Sequence, residues 1–215
     1  MYQALLFLHI AGGTLALLAI PTALLAPKRR GLHVASGRAY VAGMGLAVAS
    51  AVPLSIATQS PFLAGVAAFS AYMVASGWRW MRRPGVATSA AWGRGFAVAM
   101  LVFAVAMIVV GGMQVAAGDT LGIVLLVFAG IGSTLAIQDL STLSRGAAGK
   151  TQRSILHLGR MLGASIATVT AVLVVNVDLE PAWLVWLAPT LVGTPMIAVW
   201  SARLAREMAN ARRTV

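Results

Sequence analysis

The sequence predicts an all-α integral membrane protein with seven transmembrane helices, its N-terminus outside and its C-terminus in the cytoplasm. Three observations carry that prediction. Of the 215 residues, 60% are hydrophobic and 10% are charged, whereas a soluble domain carries about a quarter charged residues. The apolar residues gather in seven runs, each near the ~20 residues that cross a hydrocarbon core. All 16 lysines and arginines fall at one set of ends of those runs.

The runs cover residues 3–26, 39–58, 61–80, 95–117, 120–142, 157–177 and 182–203, so residues 1–203 form one transmembrane domain and 204–215 a basic cytoplasmic tail. The first run lacks the charged start of a secretory signal, is longer than a usual signal core and ends in a cationic cluster. It therefore reads as a retained helix. Breaks marked by Pro, Gly or charge separate the runs: "APKRRGLHVASGR", "TQSP", "MRRPGVATSAAWGR", "AGD", "SRGAAGKTQRS" and "DLEP".

The cations fix the orientation. Lys28, Arg29, Arg30 and Arg38 follow the first run, and Arg79, Arg82, Arg83 and Arg94 surround the loop after the third. Arg145, Lys150, Arg153 and Arg160 surround the loop after the fifth, and Arg203, Arg206, Arg212 and Arg213 follow the seventh. Asp119, Asp178 and Glu180 lie on the opposite side. The positive-inside rule makes the cationic side cytoplasmic. A pI near 11.8 would suggest nucleic acid in a soluble protein. Here the cations are topology signals, so the expected partners are membrane lipids with anionic headgroups at the cytoplasmic face, and no nucleic acid.

Composition also excludes chemistries. The chain has no cysteine, which removes disulfides, thiolate metal sites, iron–sulfur clusters and thioether-linked haem. A retinal Schiff base needs a lysine within the membrane, and Lys28 and Lys150 both lie in loops. With helices and short loops accounting for the sequence, any chemistry sits between helices or at a membrane face.

Ionisable groups within lipid are functional candidates by default. His9 lies ~9 Å into the first run, with Gly13 one turn further along and "AGG" permitting close approach by a helix or flat ligand. A neutral imidazole bonded across helices is the plainer reading. At the inner face, "LHVASGRAY" places His33 and Arg38 in the first cytoplasmic loop, and "LHLGRM" places His157 and Arg160 at the start of the sixth run. Asp139, in "IQDLS", lies about one turn inside that face. It needs a partner there, and Arg160, His157 and Arg145 are the candidates.

Two uses follow for this cluster. An ion pair would simply lock the fifth and sixth helices together. Alternatively, His33, His157 and Asp139 could ligate a divalent metal, or His33, His157, His9, Arg38 and Arg160 could hold a cofactor such as haem b. Among the remaining polar signals, Trp183 and Trp186 fit an outer aromatic belt, and Trp78, Trp80, Trp92 and Trp200 an inner one. Pro189 and Pro195 kink the seventh helix, and kinks shape cavities.

The segments "LHIAGGTLALL", "LHVASGRAYVAGM", "SGWRW", "LHLGRMLGASIATVTAVLVVN" and "WLVWLAPTLVGTPMIAVW" span most of the chain. Together they resemble the bacterial predicted-membrane-protein family catalogued as domain of unknown function 2306. The resemblance implies a compact multi-pass protein of the bacterial inner membrane. It also implies that His9, His33, Arg38, Arg79, His157, Arg160 and Asn176 occupy family motif positions. It supplies no activity.

The residues leave four classes of function open. The leading one is a membrane redox protein binding haem or a metal. The others are a small proton-coupled transporter, a structural membrane protein without catalysis, and a zinc-dependent intramembrane hydrolase. His9 stands about 20 Å or more from the inner-face histidines, which restricts a zinc set to His33, His157 and Asp139. A quinone or another lipophilic small molecule suits several of these readings, since such molecules reach helix interiors directly.

Overall fold

A computed structural model describes residues 1–27, 31–82, 90–146 and 148–213, with side chains described through residue 210. Seven α-helices account for it: α1 (Tyr2–Leu25), α2 (Leu32–Ala57), α3 (Pro61–Met81), α4 (Ala90–Ala116), α5 (Leu121–Ser144), α6 (Lys150–Asn176) and α7 (Trp183–Arg213). Each is long and apolar enough to cross a membrane. No strand occurs among the described residues.

The helices overrun the apolar runs at the cationic end of the bundle. α2 begins at Leu32, α4 at Ala90 and α6 at Lys150, and α7 continues to Arg213 through the basic tail. An apolar window marks what lipid would cover, whereas backbone hydrogen bonding continues through polar residues of good helix propensity. His33 therefore stands in the first turn of α2 and not in a loop. Gly31 precedes it with φ at +74°, in the left-handed region where glycine carries no Cβ penalty. At the opposite end, Ser60 caps α3 by accepting from the Leu63 N–H at 3.2 Å, with Pro61 at the first helical position.

Sequential neighbours pair as α1·α2, α4·α5 and α6·α7, and α3 packs against α2, α4, α5 and α6. The α1·α2 contact is of the small-residue kind found where membrane helices cross. A Cβ on Gly12 would lie 2.6 Å from the Gly43 carbonyl oxygen, and one on Gly43 would lie 2.6 Å from that of Gly12. Backbones meet there because neither residue has a side chain. Gly13, by contrast, faces open space, so the approach permitted by "AGG" belongs to Gly12.

The core runs along α3 and α5. Phe69 stacks on Phe128 at 4.8 Å between ring centroids, within a cluster that includes Tyr72, Met73, Met100, Val124 and Leu125. Trp183 and Trp186 pack against this cluster, and Trp186 meets Phe62 edge-on at 4.9 Å. Trp80 is buried, whereas Trp78 and Trp92 are exposed. The inner belt thus loses Trp80 to the interior, where its indole N–H has a partner. The outward faces of α1 and α4 are apolar, with Phe7, Leu18, Val102, Phe103 and Val105 exposed.

Candidate functional site

α3 carries Tyr72, Ser76 and Trp80 at intervals of four residues, which places their polar tips along one face. That face meets Asp139 of α5. Tyr72 Oη donates to Asp139 Oδ2 at 2.8 Å, and Ser76 Oγ donates to the same oxygen. Trp80 Nε1 donates to Oδ1 at 3.1 Å. From α6, Arg160 Nη2 donates to Oδ1 at 2.8 Å, and both members of this ion pair are 2% exposed. The same Nη2 reaches the Leu135 carbonyl and Gln138 Oε1, each at 3.0 Å.

Of the three partners that sequence left open for Asp139, the structure selects Arg160. A buried carboxylate gains most from a charge-assisted donor, and a guanidinium supplies several in fixed geometry. Both carboxylate oxygens are thereby engaged. The arrangement joins α3, α5 and α6 through one neutral pair.

His33, His157 and Asp139 are not gathered into one ligand set. Among the described residues no group of three or more His, Asp or Glu side chains could hold a metal ion. Asp139 is held by Arg160, and the histidines are fastened to backbone. His9 Nδ1 bonds the Ala47 carbonyl at 2.8 Å, His33 Nδ1 that of Ala23 at 2.8 Å, and His157 Nδ1 that of Gly77 at 2.9 Å. A carbonyl accepts, so each Nδ1 carries the proton and a neutral ring keeps its lone pair on Nε2.

These bonds tie α1 to α2 twice and α6 to α3 once. Ala23 lies in the last turn of α1, where helix carbonyls are met by side chains. His9 lies fourteen residues along α1 from Ala23, about 21 Å away, so it belongs to a different level of the bundle.

Arginines wrap the cationic end of α3. Arg79 lies over the Trp80 ring at 4.0 Å and Arg82 over Trp78 at 3.8 Å. Arg153 donates from Nε to the Trp80 carbonyl at 3.1 Å and from Nη2 to that of Arg82. Arg38 is exposed on α2 and does not join Asp139. Lys28, Arg29, Arg30 and Arg83 lie outside the described residues.

Beside the ion pair is a cavity of about 450 Å³ between α3, α5, α6 and α7. Its walls are mainly apolar, with Phe69, Met73, Phe128, Ile166 and Ile197 among them, and its polar groups are Arg160, Gln138, Thr190, Thr194 and Ser201. Thr190 and Thr194 each adjoin a proline of α7, Pro189 and Pro195. A proline ring displaces the preceding turn and interrupts helix hydrogen bonding, in keeping with a cavity at this helix. Arg160 Nε is fully buried and has no hydrogen-bond partner among the described residues.

Sequence reading missed Tyr72, Ser76, Gln138 and the α7 hydroxyls. Two signals were present. One is the four-residue spacing of Tyr72, Ser76 and Trp80. The other is Thr190, Thr194, Ile197 and Ser201, whose steps of four, three and four describe a single helical face. Near the opposite helix ends, Gln114 Nε2 donates to Asp119 Oδ2 at 3.1 Å and Asn176 Nδ2 to the Val172 carbonyl at 2.7 Å.

Fold and site together define a seven-helix bundle with a buried, hydrogen-bonded ion pair bordering an apolar cavity. Searches against protein-family models, curated proteins and solved structures returned no match to the chain.

Proposed function

We propose that the chain is a multi-pass membrane protein, N-terminus outside, that binds a lipophilic small molecule in the cavity between α3, α5, α6 and α7. One observation carries the reading. The cavity sets Arg160, Gln138, Thr190, Thr194 and Ser201 among walls that are otherwise mainly apolar, beside the buried Arg160–Asp139 pair. A few polar groups set in an apolar wall are what small-molecule sites use to orient a lipophilic ligand. At about 450 Å³ the cavity falls within the size range of small-molecule sites. The exposed apolar faces of α1 and α4 suit lipid, and the one-sided cations suit a cytoplasmic inner end.

The test is to purify the protein in mild detergent, extract it with organic solvent and identify what is released by mass spectrometry. Thr194→Phe fills the cavity from α7 and leaves the ion pair untouched. The reading expects a near-stoichiometric lipophile from the wild type and its loss from Thr194→Phe. Equal recovery from both proteins, or no specific lipophile from either, overturns it.

A second reading, a haem b or metal centre at His33 and His157 serving electron transfer, is favoured by their carbonyl-anchored Nδ1 atoms. Metal-ligating histidines characteristically donate the other ring N–H in this way. The visible spectrum of the oxidised and dithionite-reduced protein tests it. Haem bands lost in His33→Ala and His157→Ala support it. A featureless spectrum from haem-supplied cells rejects the haem form, and the absence of bound metal in the same preparation rejects the other. Zinc-dependent hydrolysis is less well served, because Asp139 would have to leave Arg160.

A further inference from the structure

We infer that the cavity is entered sideways from the inner leaflet, through a window between α5 and α7, and that its occupant is one acyl chain of an anionic phospholipid. The inference rests on the cavity reading and the orientation proposed above. It deepens them by naming the ligand class and its route.

The window follows from exposure. Of the residues lining the cavity, Gln138 on α5 and Thr194 on α7 are exposed, whereas every lining residue of α3 and α6 is buried or half-buried. The cavity therefore reaches the surface of the bundle on the side of α5 and α7. Counted from the cationic end of its apolar run, Gln138 lies four residues in and Thr194 nine, about 6 Å and 14 Å deep. Both depths fall in the inner half of a ~30 Å hydrocarbon core, so the window faces lipid chains and not water.

Toward the cytoplasm the lining faces come together. One turn beyond Gln138 on α5 and Ile155 on α6 stand Thr142 and Gln152, and Gln152 Nε2 donates to Thr142 Oγ1 at 3.5 Å. On α7, Leu204 and Ala205 continue the face of Ser201 and are half-buried. The open side is the one that meets the bilayer.

Length and polarity select an acyl chain. The lining runs from Ile155 to Ala167 on α6 and from Thr190 to Ser201 on α7, about 16–18 Å along the helices, close to the thickness of one leaflet. Its deep end is walled by Phe69, Met73 and Phe128, and Gln138 and Ser201 stand at the cationic end. A lipid of the inner leaflet has the same order, with its methyl end at the midplane and its ester oxygens near the border. Gln138 Oε1 is taken by Arg160 Nη2 at 3.0 Å, so the carboxamide keeps its N–H groups to offer, which suits an ester oxygen. Thr190 and Thr194 do not call for a polar ligand. A helical hydroxyl can bond the carbonyl four residues back, as those of Thr134 and Ser165 do at 2.9 Å.

The cations at that end select the head. Arg145, at the C-terminus of α5, lies seven residues beyond Gln138 on the same helical face, and Lys150 opens α6. Both are exposed. Glu207 of α7, six residues on from Ser201, falls off the lining face. Basic groups between membrane helices at the cytoplasmic side are what anionic headgroups bind.

The experiment uses the full chain in phosphatidylcholine nanodiscs carrying a trace of phosphatidylglycerol with a diazirine at the end of one acyl chain. Labelled residues are mapped after irradiation. Phe69 and Met73 are buried and line the cavity, so labelling of α3 there separates an occupant from the surrounding lipid, which meets the exposed faces of α1 and α4. The account expects labelling at Phe69 or Met73, its loss in Thr194→Phe, and weaker labelling by a phosphatidylcholine probe with the same chain. Arg145→Gln and Lys150→Gln should each lower that preference about fivefold. A small water-soluble diazirine should leave both residues unlabelled.

Labelling of Phe69 or Met73 by the water-soluble probe overturns the sideways route, and equal labelling by the two phospholipids overturns the anionic head. No α3 labelling by either phospholipid, while solvent extraction still releases a lipophile that Thr194→Phe loses, overturns the acyl-chain assignment and leaves the cavity reading standing. Labelling unchanged in Thr194→Phe, or neither labelling nor an extracted lipophile, overturns the cavity reading itself. Should Thr194→Phe fail to fold, Gly159→Leu fills the cavity from α6, where a Cβ meets nothing nearer than an Ile197 methyl at 3.9 Å.

Discussion

Replacing Asp139 by leucine leaves Arg160 as a cation 2% exposed with no counterion. Removing one partner of a buried ion pair costs about 3–5 kcal/mol, because the survivor keeps its desolvation penalty and loses its attraction. The surroundings place this site toward the upper part of that range. Tyr72, Ser76 and Trp80 also lose their acceptor, and a buried donor left unmade costs roughly 1–3 kcal/mol, though such costs do not simply add. The expected loss for Asp139→Leu is therefore about 4–5 kcal/mol. Removing both charges, as Asp139→Leu with Arg160→Leu, eliminates the stranded cation but not the orphaned α3 donors. The double variant should then be about 2 kcal/mol more stable than Asp139→Leu alone. Unfolding of the purified protein by titrated SDS, followed by tryptophan fluorescence, measures all four proteins of the cycle. A double variant whose loss equals the sum of the single losses would refute the reasoning, since the two residues would then be energetically independent.

Other expectations concern packing and orientation. Gly12→Ala should cost about 1–3 kcal/mol by overpacking, since its Cβ would lie 2.6 Å from the Gly43 carbonyl oxygen. Gly13→Ala, facing open space, should stay within about 0.5 kcal/mol of wild type; the same SDS titration distinguishes them, and equal losses would contradict the assigned crossing. The chain has no cysteine, so single substitutions report topology without background. A membrane-impermeant maleimide should label Thr120→Cys in intact cells and Ser144→Cys only after lysis, and the converse pattern would reverse the proposed orientation.

The seven helices were legible because each carries a run long and apolar enough to cross a bilayer, and length alone then marks them. Their ends were less so. Hydropathy ends where polar side chains begin, yet "HVASGR" before the second run and "KTQRSI" before the sixth are helical, so His33 moved from a loop to a helix. The need of Asp139 for a partner could be read from one carboxylate in an apolar run. Its choice of Arg160 over His157 or Arg145 could not, because helix rotation and crossing decide which cation reaches it. Trp80 read as a belt residue since tryptophan at a helix end usually sits at an interface. Only its four-residue register with Tyr72 and Ser76 indicated a buried face. The cavity depends on how α7 leans against α5 and α6, for which Pro189 and Pro195, and the single face formed by Thr190, Thr194, Ile197 and Ser201, were the local hints.

The most direct test of the central claim is an experimental structure of the protein in nanodiscs of its native lipids, at a resolution that shows side chains. The account predicts an elongated feature in the α5–α6–α7 cavity, with its polar end toward Gln138 and the α7 hydroxyls and the Asp139–Arg160 pair intact. A cavity closed by protein side chains would contradict it.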